Sequence, residues 1–206
     1  MAINDGLAVT CSDLQAVGGT RILALRAWAG GDTVTYDNTD NTITSILDTG
    51  GATSTWGVYE SVIESSSLNI TGTGVGKDVL TYETNISFYL PKLGRLQFQR
   101  LKDMVGSCLM VLIITNNDAA SGSTPPDSGF DANKVIGVSQ KFENLDDPNR
   151  NQTYARLTSI EGGTGSAFSD EIGVTVTISC TQFEIPRQYK SAGIVLNATG
   201  LSLTTA

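Results

Sequence analysis

Residues 79–106 read VLTYETNISFYLPKLGRLQFQRLKDMVG, and the spacing of the apolar residues changes period inside the stretch. Over 79–90, Leu80, Tyr82, Thr84, Ile86, Phe88 and Leu90 alternate with more polar neighbours. A period of two marks a strand with one buried face. After Pro91, Leu93, Leu96, Leu101, Met104 and Val105 fall on one side of a helical repeat, and Arg95, Gln99, Lys102 and Asp103 fall on the other. This predicts one amphipathic helix over about 92–105, opened by Pro91 and stopped by Gly106. The apolar run SCLMVLIIT (107–115) then predicts a buried central strand.

Working outward, strand signals dominate. RILALRAW (21–28), SLNIT (67–71), VIGVSQKFENL (135–145), TYARLTSIEG (153–162) and EIGVTVTISCTQFEI (171–185) each read as strands. The last alternates Ile172, Val174, Val176 and Ile178 with Thr175, Thr177 and Ser179, and Pro186 ends it. Residues 32–51 predict a hairpin turning at DNTDN, and a change of phase within 54–65 marks a bulge. The segment 116–134, rich in Gly, Pro, Ser and Asp, reads as a long surface loop. GIVLNATGLSLTTA (193–206) reads either as a further strand or as a docking arm. The expected fold is mainly β, a β-sandwich or barrel with one helix and extended hairpins or arms. It is expected to be a single domain over 1–206, with arms over about 1–20 and 187–206.

Composition narrows the function. The 206 residues are 40% hydrophobic and 17% charged, enough apolar content for a core. A net charge of −8 without any block of Lys and Arg argues against tight nucleic-acid binding. The chain has no histidine, which removes the commonest general base and metal ligand. Cys11, Cys108 and Cys180 lack metal-site or disulfide spacing and read as free thiols, the last two in apolar runs. No stretch reads as a signal peptide or is long enough to span a bilayer as a helix, so membrane insertion is not expected. The sequons at Asn69, Asn85, Asn151 and Asn197 then read as products of an Asn/Thr-rich composition.

Three motifs invite chemistry and fail on detail. NITGTGVGKD (69–78) resembles a phosphate loop, but three residues rather than four separate Gly72 from Gly76. Asp78 follows Lys77 where a hydroxyl is needed, and a strand follows where a helix is needed. The positive reading is a hairpin whose strands, LNIT and VLTYET, are joined by a GTGVGKD tip. Asp32, Asp37, Asp40 and Asp48 do not match a calcium loop and read as turn residues. Glu60, Glu64 and Glu83 lie in neighbouring predicted strands and could meet across a sheet, but nothing fixes a catalytic geometry. No catalytic residue, cofactor or metal is expected, and the chain does not read as an enzyme.

Two segments carry a resemblance. LTYETNISFYLPKLGRLQFQRLKDMVGSCLMVLIIT (80–115) and SDEIGVTVTISCTQFEIPRQY (169–189) resemble the tail tube proteins of long-tailed bacteriophages and the tubes of contractile injection systems. The likeness is one of element order, covering about 20–190. It implies hexameric rings that join their sheets into one barrel, stack into a tube and conduct the genome into the host. It implies as partners further copies of the chain, a tape measure protein, a tail terminator and a sheath, with double-stranded DNA passing without tight binding. It implies location in the virion tail after assembly in the bacterial cytoplasm. An acidic lumen would repel DNA phosphates, and the candidate lumen acids are Glu60, Glu64, Asp78, Glu83 and Glu171. The hairpin 32–51, the loop 116–134 and the termini are the candidates for contacts between rings. Two alternatives stand beside this reading. One is a capsid decoration protein. The other is a carbohydrate-binding β-sandwich using Trp28, Trp56, Tyr36 and Tyr59.

Overall fold

A computed structural model of the chain describes residues 20–29, 32–48, 51, 54–60, 65–75, 79–91, 95–115, 133–140, 153–163, 173–190, 194–197 and 200–203. In order they form β1 (Thr20–Ala27), β2 (Thr33–Asp37), β3 (Thr42–Leu47), β4 (Ser54–Glu60), β5 (Ser66–Val75) and β6 (Val79–Pro91). Then come α1 (Arg95–Met104), β7 (Leu109–Thr115), β8 (Asn133–Ile136), β9 (Arg156–Gly163) and β10 (Gly173–Gln182). The chain closes with β11 (Gln188–Tyr189), β12 (Ile194–Asn197) and β13 (Gly200–Leu203). The protein is mainly β with one short helix among the described residues.

The strands make three sheets. A six-stranded sheet runs β12-β13-β4-β1-β7-β8, a four-stranded sheet runs β5-β6-β10-β9, and a three-stranded sheet runs β11-β3-β2. All pairings are antiparallel except β11 with β3. The six-stranded sheet lies in the middle, and the reason is legible in β7. Its run LMVLIIT has no polar face, so both faces must be covered. Val111 and Ile113 join Leu23 and Leu25 of β1 in a first core, against Ile86, Phe88, Val176 and Ile178 of the four-stranded sheet. Met110, Leu112 and Ile114 join Ala24 and Trp56 in a second core, against Ile43, Ile46 and Tyr189 of the three-stranded sheet. The β1 segment is buried on both faces for the same reason, with Leu23, Ala24 and Leu25 all covered.

The described helix covers Arg95–Met104 of the predicted 92–105, and residues 92–94 lie outside the described residues. Pro91 ends β6, paired with Gly173, rather than opening the helix. Leu101 and Met104 are buried in the first core, while Val105, placed by periodicity on the same face, is 62% exposed. It lies beyond the last helical turn, which closes through Val105 N–H to Lys102 O and Ser107 N–H to Met104 O. Gly106 takes φ +78°, the left-handed stop expected of it.

Other boundaries shift for identifiable reasons. The strand expected over 135–145 stops at Ile136 because Gly137 turns the chain at φ +85°. The strand expected over 171–185 covers Gly173–Gln182 and bends at Phe183 and Glu184, before Pro186. The expected hairpin forms, but GTGV of the proposed GTGVGKD tip is not a turn: β5 stays in register with β6 from Ser66↔Phe88 to Val75↔Val79. Gly72 and Gly74 sit within that ladder, and residues 76–78 lie outside the described residues. Segment 187–206, read as an arm, supplies β11, β12 and β13 to the sheets. Residues 61–64 of the expected phase change, 116–132 of the expected loop and the N-terminal residues 1–19, with Cys11, lie outside the described residues.

Candidate functional site

The outer face of the four-stranded sheet is built by strict pairing. β6 and β10 direct even-numbered residues into the first core, so their odd-numbered residues face away. Adjacent strands then align short polar side chains in rungs. Ser67, Ser87, Thr177 and Ser159 make one rung, and Asn69, Asn85, Ser179 and Arg156 the next. Thr71, Glu83 and Thr181 follow on one side, and Tyr89, Thr175 and Glu161 on the other. Asn85 Nδ2–H donates to Glu83 Oε1 at 3.3 Å, and the Thr158 hydroxyl donates to Thr177 O at 3.1 Å. Such a field of hydroxyls and amides holds water at its surface. Its only charged members among these residues are Glu83, Glu161 and Arg156, all exposed.

Of the five candidate acids, the structure brings Glu83 to this face. Glu60 ends β4 opposite Ile22, in the six-stranded sheet. Glu60 and Glu83 therefore do not lie on neighbouring strands, and the expected cross-strand meeting is corrected. Glu64, Asp78 and Glu171 lie outside the described residues. Glu161 and Arg156 were missed, and the cause is a bulge. Four residues lie between them, so simple alternation sends them to opposite faces. The ladder slips between Thr177 and Ile178 of β10, pairing them with Ser159 and Leu157, and both charges come out on the polar face.

Both edges of this sheet end without another strand among the described residues. β5, SSLNITGTGV, has no charge and no proline, the usual devices that keep an edge from pairing. β9 forms the other edge and runs antiparallel to β5, since each neighbour in the sheet reverses direction.

No family model matches this chain, and no curated protein or solved structure matches it either.

The remaining candidates resolve into structure. Asp32 and Asp48 both bind Arg26 Nη2, at 2.9 and 3.1 Å, and Asp32 also accepts the Ala29 N–H. Asp37 accepts the N–H groups of Thr39 and Asp40 at the hairpin turn, and Lys190 pairs with Asp37 at 2.9 Å and Asp40 at 3.5 Å. The hydrogen bond from Lys190 lowers the Asp37 pKa below its ordinary 3.8 and raises that of Lys190 above 10.5. The four aspartates thus fasten the β2–β3 hairpin at both ends rather than converging on a metal. Trp28, Trp56 and Tyr36 belong to or pack against the second core, and Tyr59 packs against the first. Trp56 is buried in the second core, Trp28 packs at 5.5 Å on Tyr154, and Tyr59 packs at 6.0 Å on Phe88. Tyr36 lies under the Arg187 guanidinium at 5.0 Å. They form no shared flat platform. Cys180 is buried, its thiol donating to Thr153 O, and burial pushes its pKa up to about 12.

Proposed function

We propose that the chain is a non-enzymatic structural subunit of a bacteriophage tail tube, forming hexameric rings that stack around a channel for the genome. One observation carries this reading: a four-stranded sheet of long strands, with a hydrophilic outer face rich in Ser, Thr and Asn and two edges of opposite sense that have no further strand among the described residues. A sheet of this kind can be continued from copy to copy until it closes, which removes the edges. Closure then turns the Ser, Thr and Asn rungs toward a water-filled lumen. Hydrated hydroxyls offer a polyanion no cationic anchor, and Glu83 and Glu161 repel phosphate. Arg156 is the exception on this face. The tape measure, terminator and sheath partners, and location in the virion tail, belong to the same reading through the resemblance in element order.

The test is negative-stain electron microscopy of the purified protein at high concentration. Rings or tubes with a central hole wide enough for duplex DNA are expected. A uniform monomer that binds only when empty capsids are added would contradict the tube and support a decoration protein.

A further inference from the structure

We propose that the first core is completed in trans: Ile160 on β9 of one copy packs against Leu68 and Ile70 on β5 of the next. This rests on the tube reading, in which copies of the chain adjoin. Ile160 pairs with Val176, which is fully buried in the first core, so the Ile160 side chain lies on the core side of the sheet. Yet it is 42% exposed. Among the described residues the other exposed large apolar side chains are Phe98 and Val105, in or just after α1, and Ile185, in a bend. Ile160 alone belongs to a strand.

The opposite edge shows the matching deficit. Leu68 and Ile70 pair with Ile86 and Thr84, both buried, so they too face the core. Both are only half-buried. The apolar row that crosses the sheet therefore runs out at both ends, onto edges without a further strand among the described residues. Rotation from one copy to the next about a ring axis keeps strand sense, so β9 meets the neighbour's β5 antiparallel, as in every other pairing of this sheet. Apolar side chains then meet apolar side chains on one face, and Ser, Thr and Asn continue on the other. A second copy is the occupant that supplies both matches at once, and β5 has no charge to oppose it. The consequence is a four-stranded sheet that is incompletely packed in a single copy and becomes fully packed on assembly.

The experiment compares the unmodified chain with Ile160→Asp and Ile185→Asp, by circular dichroism, sedimentation and electron microscopy across a concentration series. Ile185 is 49% exposed and lies in the bend after β10, so it controls for the loss of a surface apolar group. The expected result is a folded Ile160→Asp protein whose assembly needs about tenfold more protein or greater, with Ile185→Asp unchanged. If Ile160→Asp does not fold, Ile160→Thr replaces it, with a smaller shift in the same direction. Assembly of the folded Ile160 variant at the unmodified concentration overturns the joint and leaves the tube reading standing. An unmodified chain that never assembles overturns both.

Discussion

The two cores share one central sheet and are finished in opposite ways. The second core is closed at its rim by charge. Arg26, from β1, holds Asp32 and Asp48 at the open end of the β2–β3 hairpin. Arg187 donates to Asn38, Gln140 and Glu184, each at 3.0 Å, and Lys190 holds Asp37, so the hairpin turn is fastened as well. Among the described residues the first core has no such rim. It ends at two bare strand edges with Ile160, Leu68 and Ile70 incompletely covered. A surface closed by ion pairs is finished within one chain. On the proposed reading, the first core is finished by a second copy of the chain. The hairpin, expected as an extension between rings, belongs to the finished side.

The largest effect should come from breaking both cores together at Gly137. It follows Ile136, of the first core, and precedes Val138, of the second. A Cβ there would lie 2.4 Å from Leu109 O and 2.9 Å from Ala155 N, at a φ of +85°. Gly137→Val is expected to abolish cooperative folding, read as loss of a denaturant transition. Next, Phe88→Ala and Trp56→Ala separate the cores. Each should cost about 3–5 kcal/mol in chemical denaturation, but Phe88→Ala alone should also weaken assembly. Equal effects of the two on assembly would erase the distinction.

Arg187→Ala tests the rim of the second core. It leaves the partly buried Glu184 carboxylate with the Gln140 N–H but without its cationic partner, and is expected to cost about 1–3 kcal/mol, without raising the protein concentration needed for assembly. The outer clamp, Asp37 with Lys190, gives the smallest effect, and its sign follows from the two pKa shifts. Asp37 contributes stability that is complete above 3.8 and is lost as pH falls through its lower folded value. Lys190 contributes stability that is complete below 10.5 and is lost as pH rises through its higher folded value. Lys190→Met should therefore lower the melting temperature near neutral pH and have less effect at the acid and alkaline extremes. A difference that did not shrink at either extreme would contradict the clamp.

Much of this contrast was written locally in the sequence. Alternation in 79–90 and 173–182 gave the long strands, and Gly106 gave the helix stop, because each depends on near neighbours. The double-sided burial of β1 and β7 was only half legible. An apolar run demands cover on both faces but does not say which segment supplies it. The charged rim was not legible at all. Lys190 and Asp37 are 153 residues apart, and only the fold brings them together. In the candidate site Glu83 was named for its place on a long strand, whereas the shared face of Glu161 and Arg156 was hidden by one slipped residue in β9. Gly72 and Gly74 misled in the opposite direction: glycines read as a turn serve as strand, because the ladder needs only their backbone.

The most direct test of an unfinished first core is amide hydrogen exchange, measured above and below the concentration at which the protein assembles. The account predicts that protection rises on assembly along β5 and β9 and stays the same along β3 and β11. Unchanged exchange at β5 and β9 in assembled protein would contradict it, because those edges would then not be where one copy meets the next.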